Sequence, residues 1–243
     1  MSRVVDNLAA ADDDGDGLVV MPRQQGMQNR PVDESALTST DRDRLAGRFA
    51  HVVVDEAQEL TDAEWQMLLL RCPSRSFTIV GDRAQARHGF TEPRQERLER
   101  IGLDQINLAS LSINYRTPQE VMAEAEPVIR AVLPGRQRAT SIRSSGVPVV
   151  HGSASDLGPI LDTWLATHAD GTACVIGTHD LAVGTLRATS RVRSLTPELS
   201  KGLEFDLVVL IDPDSFGTGI EGAVDRYVAM TRATQQLVIL TTS

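Results

Sequence analysis

The sequence predicts an α/β fold with mostly parallel sheets, and three features of its 243 residues lead to this prediction. Short runs rich in valine, isoleucine and leucine recur along the chain, as expected of strands buried on both faces of a sheet. Segments with helical periodicity separate these runs. The first two runs, residues 51–55 and 76–82, end in acidic residues and are followed by a turn or a helix start. Such alternation is typical of a parallel sheet covered by helices.

The first strand predicted in this rhythm is "HVVVD", residues 51–55. A helix follows, because Thr61 and Glu64 have the spacing of a capping box. Trp65 lies on the apolar face of this helix and is expected in the core. The stretch "SFTIVGD", residues 76–82, then predicts a second buried strand that again ends in an acid.

The middle of the chain predicts a linker, a strand and a long helix. The linker and the strand fall within "LERIGLDQINLASL", residues 98–111. Thr117 is the expected N-cap of the helix, Pro118 its first residue, and Glu120 the second member of a capping box. Pro127 is expected to kink or break this helix.

The remainder alternates again. Its predicted strands are "PVVHG", "TACVIG", "RVRSL", "FDLVVLID" and "QLVIL". Its predicted helices are Asp156 to His168, Asp180 to Ala188 and Ala223 to Arg232. The alternation therefore predicts two α/β units, joined near residues 104–115.

Composition restricts the class of protein. The net charge of -9 and the pI of about 5.0 argue against a chain that coats nucleic acid by bulk electrostatics. No apolar run is long enough to span a bilayer and no N-terminal signal precedes one, so we expect a soluble, cytoplasmic chain without a membrane partner. Cys72 and Cys174 lie beside apolar residues and are expected to be buried thiols.

The N-terminal segment, residues 1–48, is polar and is expected to be poorly ordered. Within it, Asp12, Asp14 and Asp16 resemble the first half of a calcium-binding loop. The twelfth position of such a loop is a bidentate glutamate, but here it is Arg23. We therefore expect a solvated acidic loop.

Acidic strand ends are the clearest chemical signal. Ligands of open parallel sheets bind at the carboxyl ends of strands, where Asp55 and Glu56 fall. Asp55 could hold magnesium, and Glu56 could deprotonate a water that attacks a γ-phosphate. A phosphate loop of the form G-x-x-x-x-G-K-[ST] would complete such a site. The only lysine is Lys201, between a serine and a glycine, so the sequence contains no such loop.

Five short stretches occur in a fixed order: "VVVDEAQ", "GDRAQ", "NYR", "KGLEFD" and "YVAMTRA". Over Phe49 to Leu240, this series resembles superfamily 1 helicases of the UvrD/Rep type. "RCPSRSFTIVGDRAQ" and "SIR" look most like the HelD branch, helicase-like ATPases that act on RNA polymerase. The resemblance implies RecA-like P-loop NTPase lobes: an incomplete first lobe at residues 49–103 and a second lobe at 104–243.

The resemblance also implies roles for the matching residues. In the first lobe, Asp55 would bind Mg²⁺ and Glu56 would be the catalytic base. Gln58 and Gln85 would contact or sense the γ-phosphate and its water. Phe90 falls near the position of an aromatic residue that stacks on a nucleic-acid base.

In the second lobe, the resemblance implies that Arg116 and Arg232 are arginine fingers, whose planar guanidinium groups suit spread phosphate charge. Tyr115 would lie close to the nucleotide. Gly202 and Glu204 would lie at the lobe interface, with Glu204 near the ribose. Taken alone, Arg232 near a helix C-terminus and Lys201 in a loop would be equally compatible with purely structural roles.

The implied activity is that of an ATP-dependent helicase or translocase that uses ATP and Mg²⁺. Its partners would be nucleic acid, DNA more than RNA, and RNA polymerase. Because the phosphate loop is absent, we expect this chain to bind ATP weakly and to hydrolyse little. The sheet edge left by the missing strand would be covered by the N-terminal segment, by another chain, or by the rest of a larger helicase. Two alternatives stay open: a non-catalytic module that binds RNA polymerase or a helicase subunit, and one half of a split ATPase.

Overall fold

A computed structural model describes residues 18–22, 49–87, 93–134, 139–178 and 189–242. The described chain forms two compact units. The first unit contains the described residues up to 82 and residues 93–111. The second unit contains residues 83–87 and the described residues from 112 onward. The first unit thus extends past the predicted boundary at residue 103, and residues 83–87 group with the second unit.

The first unit has a four-stranded sheet. Its strands are β1 (Leu18–Pro22), β2 (Val52–Val54), β3 (Phe77–Gly81) and β4 (Ile106–Ser110), in the order β2-β3-β1-β4. The predicted strands β2 and β3 are parallel. In contrast, β1 runs antiparallel to both of its neighbours, so this sheet is mixed where a mostly parallel one was predicted. The alternation that predicts parallel strands begins only at residue 51, so it carries no information on β1.

Strand β1 pairs with both β3 and β4. Val20 is paired with Ile79 on one side and with Leu108 on the other. Strand β1, from the N-terminal segment, thus occupies the side of β3 that faces away from β2.

Two helices accompany this sheet. Helix α1 (Asp62–Arg71) begins with the predicted capping box, in which Thr61 and Glu64 bond each other's backbone N–H. Trp65 is 1% exposed and meets Phe77 edge-on, with ring centroids 6.3 Å apart. Helix α2 (Arg94–Arg100) was not predicted, and only its last three residues overlap the stretch in which a linker was predicted. Its seven residues include only one apolar side chain, so the sequence has almost no periodicity to detect.

The second unit contains a two-stranded and a five-stranded sheet. The small sheet pairs β5 (Ile113–Asn114) with β6 (Thr140–Ser141), which the sequence did not predict. The large sheet has the strands β7 (Val150–Ser153), β8 (Ala173–Ile176), β9 (Val192–Leu195), β10 (Phe205–Ile211) and β11 (Ala233–Thr241). Its order is β7-β11-β10-β8-β9, and every pair is parallel. The predicted α/β fold and its parallel strands are confirmed here.

The helices of the second unit are α3 (Gln119–Arg130), α4 (Leu157–Thr167) and α5 (Gly219–Met230). Helix α3 continues through Pro127 and is not broken there. Helix α5 begins four residues before its predicted start at Ala223. The predicted helix Asp180 to Ala188 lies outside the described residues.

The capping box predicted at the start of α3 is wrong. Its N-cap residue is Pro118, which has no side-chain donor or acceptor. Asn114 Oδ1 instead accepts the N–H groups of Arg116 and Thr117, each at 3.0 Å. The carboxylate of Glu120 turns to a neighbouring loop, because four donors there satisfy it better than one backbone N–H could. These donors are Ser144 Oγ, Ser145 N, Ser145 Oγ and Gly146 N.

Both cysteines are free and buried, as predicted. Burial raises the pKa of Cys174 to about 12, so this thiol stays protonated at neutral pH. Among the described residues, no helix combines the length and the apolar character needed to cross a membrane.

Glu120 should make stability depend on pH. Hydrogen bonds, above all from Ser144, lower its pKa to about 2. A carboxyl group with a depressed folded pKa stabilises the fold above its unfolded pKa, and this contribution is lost as the pH falls through the folded value. We therefore expect Glu120→Gln to be less stable than wild type at pH 7, with the difference shrinking between about pH 4.5 and pH 2. Urea unfolding of both proteins across this range measures the difference in the free energy of unfolding. A difference that does not change with pH would contradict the prediction.

Candidate functional site

The acidic residues of the first unit lie at one edge of its sheet. Strands β2 and β3 are parallel, with Val54 opposite Ile79. Asp55 and Glu56 follow β2, and Asp82 follows β3, so all three leave the sheet on the same side. This is the edge at which open parallel sheets bind ligands.

Glu56 has a strained backbone. Its φ of 52° and ψ of 36° are left-handed, a conformation that costs a residue other than glycine about 1–2 kcal/mol. Its N–H donates to Asp55 Oδ1 at 2.8 Å, and a turn of 3₁₀ helix, Ala57–Glu59, follows at once. This geometry leaves the carboxylates of Asp55 and Glu56 exposed. Strain of this kind concentrates at functional sites.

Gln58 connects Glu56 to the end of β3. Its Nε2 donates to Glu56 Oε2, and its Oε1 accepts the N–H of Asp82 at 3.0 Å. A carboxylate only accepts and a backbone N–H only donates, so the two partners admit one orientation of the amide. Gln58 therefore fixes Glu56 relative to Asp82, a role that differs from the phosphate contact implied by the resemblance.

Gly81 leaves room for this connection. A Cβ built on Gly81 would lie 2.8 Å from Gln58 Oε1 and 3.3 Å from Gln58 N. Any side chain at this position would therefore displace the amide. The glycine of the "GD" pair is required by the close approach of Gln58 and not by its φ angle.

The donor set suits a loosely held Mg²⁺. Among the described residues, no three acidic, histidine or cysteine side chains converge on one point. Magnesium commonly binds one or two carboxylates and takes its other ligands from water and substrate phosphates. The exposed carboxylate of Asp55 fits such a role.

In the second unit, Arg116 and Glu204 meet. Arg116 Nε lies 2.8 Å from Glu204 Oε1, and the two side chains are 48% and 42% exposed. Tyr115 is 72% exposed. The turn formed by Asn114 sets the direction of Arg116, because Asn114 Oδ1 holds the two N–H groups that follow. The structure thus brings together a predicted arginine finger and the predicted ribose contact.

Arg232 is placed differently. It is 4% exposed, and its Nε donates to Val228 O at 3.1 Å. Its Nη1 lies 3.5 Å from Leu203 O, and its own carbonyl accepts the N–H of Phe205 at 3.0 Å. Arg232 therefore ties the end of α5 to the segment that carries Glu204.

The remaining predicted residues are Gly202, Gln85 and Phe90. Gly202 has a φ of 71°, which explains glycine there, and a Cβ would meet open space. Gln85 ends a turn of 3₁₀ helix, Arg83–Gln85, in the second unit. Phe90 lies outside the described residues.

Arg87 and Asp225 form an ion pair that no sequence motif predicts. Arg87 Nη2 lies 2.9 Å from Asp225 Oδ2 and 3.2 Å from Glu198 Oε1. One signal was available: Asp225 lies among the apolar residues of α5, with Gly222 and Val228 one turn away. A carboxylate on a buried helix face needs a partner, although the sequence could not name it.

Comparison with known proteins gave structural neighbours only. No family model and no curated protein matches the chain. The C-terminal domain of a possible DNA helicase from Lactobacillus plantarum WCFS1 is 18% identical over 53% of this chain and 88% of that domain, with a TM-score of 0.39. The arterivirus nonstructural protein 10 helicase is 18% identical over 81% of this chain and 40% of that protein, with a TM-score of 0.44. Its complex with DNA gives 19% identity and the same TM-score. Similarity at this level assigns no function to the chain.

Arg232 should matter for stability. Arg232→Ala removes the buried hydrogen bonds that its charged guanidinium donates, so the free energy of unfolding should fall by about 2–4 kcal/mol. The matched control is Arg116→Ala, which removes an exposed ion pair and should cost about 0–1 kcal/mol. Urea unfolding measures both, and equal losses would contradict the assignment.

Gly81→Ala should displace the amide of Gln58. Losing the bond to the Asp82 N–H should cost about 1 kcal/mol and shift the NMR resonance of that amide. The control is Gly158→Ala at the start of α4, where a Cβ meets open space. That variant should be more stable than wild type by about 0.5–1 kcal/mol. An unchanged Asp82 resonance in Gly81→Ala would contradict the packing described.

Proposed function

We propose that this chain carries the magnesium-binding and water-activating half of an ATP-dependent helicase or translocase, with a second lobe that supplies arginines. Asp55 holds Mg²⁺, and Glu56 accepts the proton of the attacking water. Gln58 orients Glu56, and Gln85 contacts the γ-phosphate. The metal, when bound, neutralises phosphate charge.

The observation that carries the proposal is the placement of Glu56. A strained backbone presents its carboxylate at the carboxyl edge of the sheet, and Gln58 holds one of its oxygens. An acidic residue with only a structural role could cap the following turn without a left-handed backbone. Strain together with a fixed orientation supports the role of a general base, which must be aimed at its proton.

Arg116 supports the phosphate role of the second lobe. It is half-exposed, and its guanidinium is held by an exposed carboxylate that a nucleotide could replace. Such a pair gains little in water, so exchanging Glu204 for a phosphate costs little. Glu204 would then be free to meet the ribose. Arg232 would act mainly by fixing the Glu204 segment, and would reach phosphate only after its backbone bonds open.

The finer identity is part of the same proposal. The five ordered stretches support a superfamily 1 enzyme of the UvrD/Rep type, in its HelD branch. Its track would be nucleic acid, DNA in preference to RNA, and RNA polymerase would be the partner that it remodels. Tight ATP binding and turnover would need a phosphate loop from elsewhere in the same polypeptide or from a second one.

A non-catalytic module is the second candidate, and a specific observation favours it. Arg232 is buried on backbone carbonyls and Arg116 is paired with Glu204, so both predicted fingers are engaged in the chain itself. In this case the fold would serve as a docking domain for RNA polymerase or a helicase subunit.

Titration of the chain with a fluorescent ATP analogue, in Mg²⁺ and in EDTA, tests the proposal. We expect weak binding that Mg²⁺ strengthens, and we expect Asp55→Asn to remove this strengthening while leaving the affinity in EDTA unchanged. The matched control is Glu59→Gln, which removes an exposed carboxylate of the same turn and should leave the Mg²⁺ effect intact. Equal Mg²⁺ effects in wild type and Asp55→Asn would contradict the metal site.

Two further outcomes separate the alternatives. Robust turnover by this chain, lost in Glu56→Gln, would contradict the proposal that it holds only half of the site. Retention of RNA polymerase on the immobilised chain, with no nucleotide binding, would favour the docking domain.

A further inference from the structure

Helix α5 buries a carboxylate. The side chain of Asp225 is 2% exposed, and most of the other buried residues of the helix are apolar, among them Val224 and Val228. Burial raises the pKa of Asp225, an effect that Arg87 opposes. The charge of Glu198 also raises this pKa, and the charge of Lys201 lowers it. A charge in this position lowers stability unless its bonding is complete.

The bonding of Asp225 is incomplete. Arg87 offers one nitrogen, Nη2, to Asp225 Oδ2 at 2.9 Å, and shares it with Glu198 Oε1 at 3.2 Å. Within the described chain, Arg87 Nε and Asp225 Oδ1 are buried and have no hydrogen-bond partner. The paired geometry of two parallel bonds, which would best offset desolvation, is not formed. A pair this costly is better explained by what it positions than by the stability it adds.

The pair lies next to a predicted site residue. Arg87 is two residues after Gln85, in the segment 83–87 that belongs to the second unit. Ala84, on the other side of Gln85, is 0% exposed and packs in the core cluster that contains Val224 and Val228 of α5. The backbone on both sides of Gln85 is therefore fastened to the same helix, by an apolar contact before it and by an ion pair after it.

We propose that Arg87 and Asp225 form a positioning pair that fixes Gln85 on helix α5. Arg232 donates a hydrogen bond to Val228 O near the C-terminal end of the same helix. The phosphate role of Gln85 in this inference rests on the proposed function. Its placement on α5 does not. Arg87 and Asp225 touch no nucleotide and act through Gln85.

A purely structural pair would behave differently. Replacing a buried ion pair by apolar side chains of similar volume commonly leaves stability unchanged or raises it. The double variant Arg87→Met with Asp225→Leu should therefore be folded, yet it lacks the directional bond. Comparing the double variant with the single variants separates two effects of the pair: the positioning of residues 83–87 and the stability of the second unit.

Hydrogen exchange of residues 83–87 in the full 243-residue chain, without nucleotide, tests the placement. We expect exchange to rise at least tenfold in Asp225→Asn and in Arg87→Met, and to rise no further in the double variant. Arg87→Lys keeps a charge for Asp225 and should show a smaller rise. Glu198→Gln, which removes the exposed carboxylate, is the matched control and should change exchange less than twofold. Unchanged exchange in Asp225→Asn, or independent effects of the two single changes, would overturn the pair.

The affinity for the ATP analogue in Mg²⁺ tests the link to Gln85. We expect Gln85→Ala and Asp225→Asn to lower it by the same factor, with no further loss when they are combined. Loss in Gln85→Ala alone would overturn the positioning and leave the proposed function intact. No loss in Gln85→Ala would overturn the phosphate role of Gln85, and with it the functional half of the inference.

Discussion

The burial of strand β10 is the constraint on which the second unit depends. Its residues from Leu207 to Leu210 are 0% exposed, with β8 on one side and β11 on the other. Asp206, the one acid in the strand, is satisfied by Thr172, Thr234 and Gln235. Because a strand buried between two neighbours cannot shift its register without exposing apolar side chains, its ends are fixed. Glu204, which precedes β10, therefore lies within reach of Arg116. The carbonyl of Arg232 lies where it accepts the N–H of Phe205, the first residue of β10.

In the first unit, hydrogen bonds of one side chain, Gln58, fix the positions of the strand ends. Its sheet is smaller, and the two strands that carry the acids are joined at their ends by the amide of Gln58. Gly81 makes the close approach sterically allowed, and the αL backbone of Glu56 aims its carboxylate. The two units thus reach defined side-chain geometry by different means, one by core packing and the other by a hydrogen-bonded turn at a strained residue.

Local patterns account for what the sequence predicted. β-branched runs identified the five parallel strands of the large sheet, and Thr61 with Glu64 identified a capping box, because both signals depend on neighbouring residues. The failures are non-local. The antiparallel direction of β1 depends on strands far along the chain, and Glu120 turned from its helix to donors on a loop 24 residues away. The partner of Asp225 lies 138 residues earlier, beyond any periodicity.

We propose that the turn after β2 is the metal-binding part of a nucleotide site. The most direct test of this metal site is paramagnetic broadening of backbone NMR signals by Mn²⁺ added with a non-hydrolysable ATP analogue. We expect the broadening to centre on Asp55, Glu56 and Gln58, to extend to Asp82, and to disappear in Asp55→Asn. Broadening centred on the acidic stretch Asp12 to Asp16, with the Asp55 turn unaffected, would contradict it.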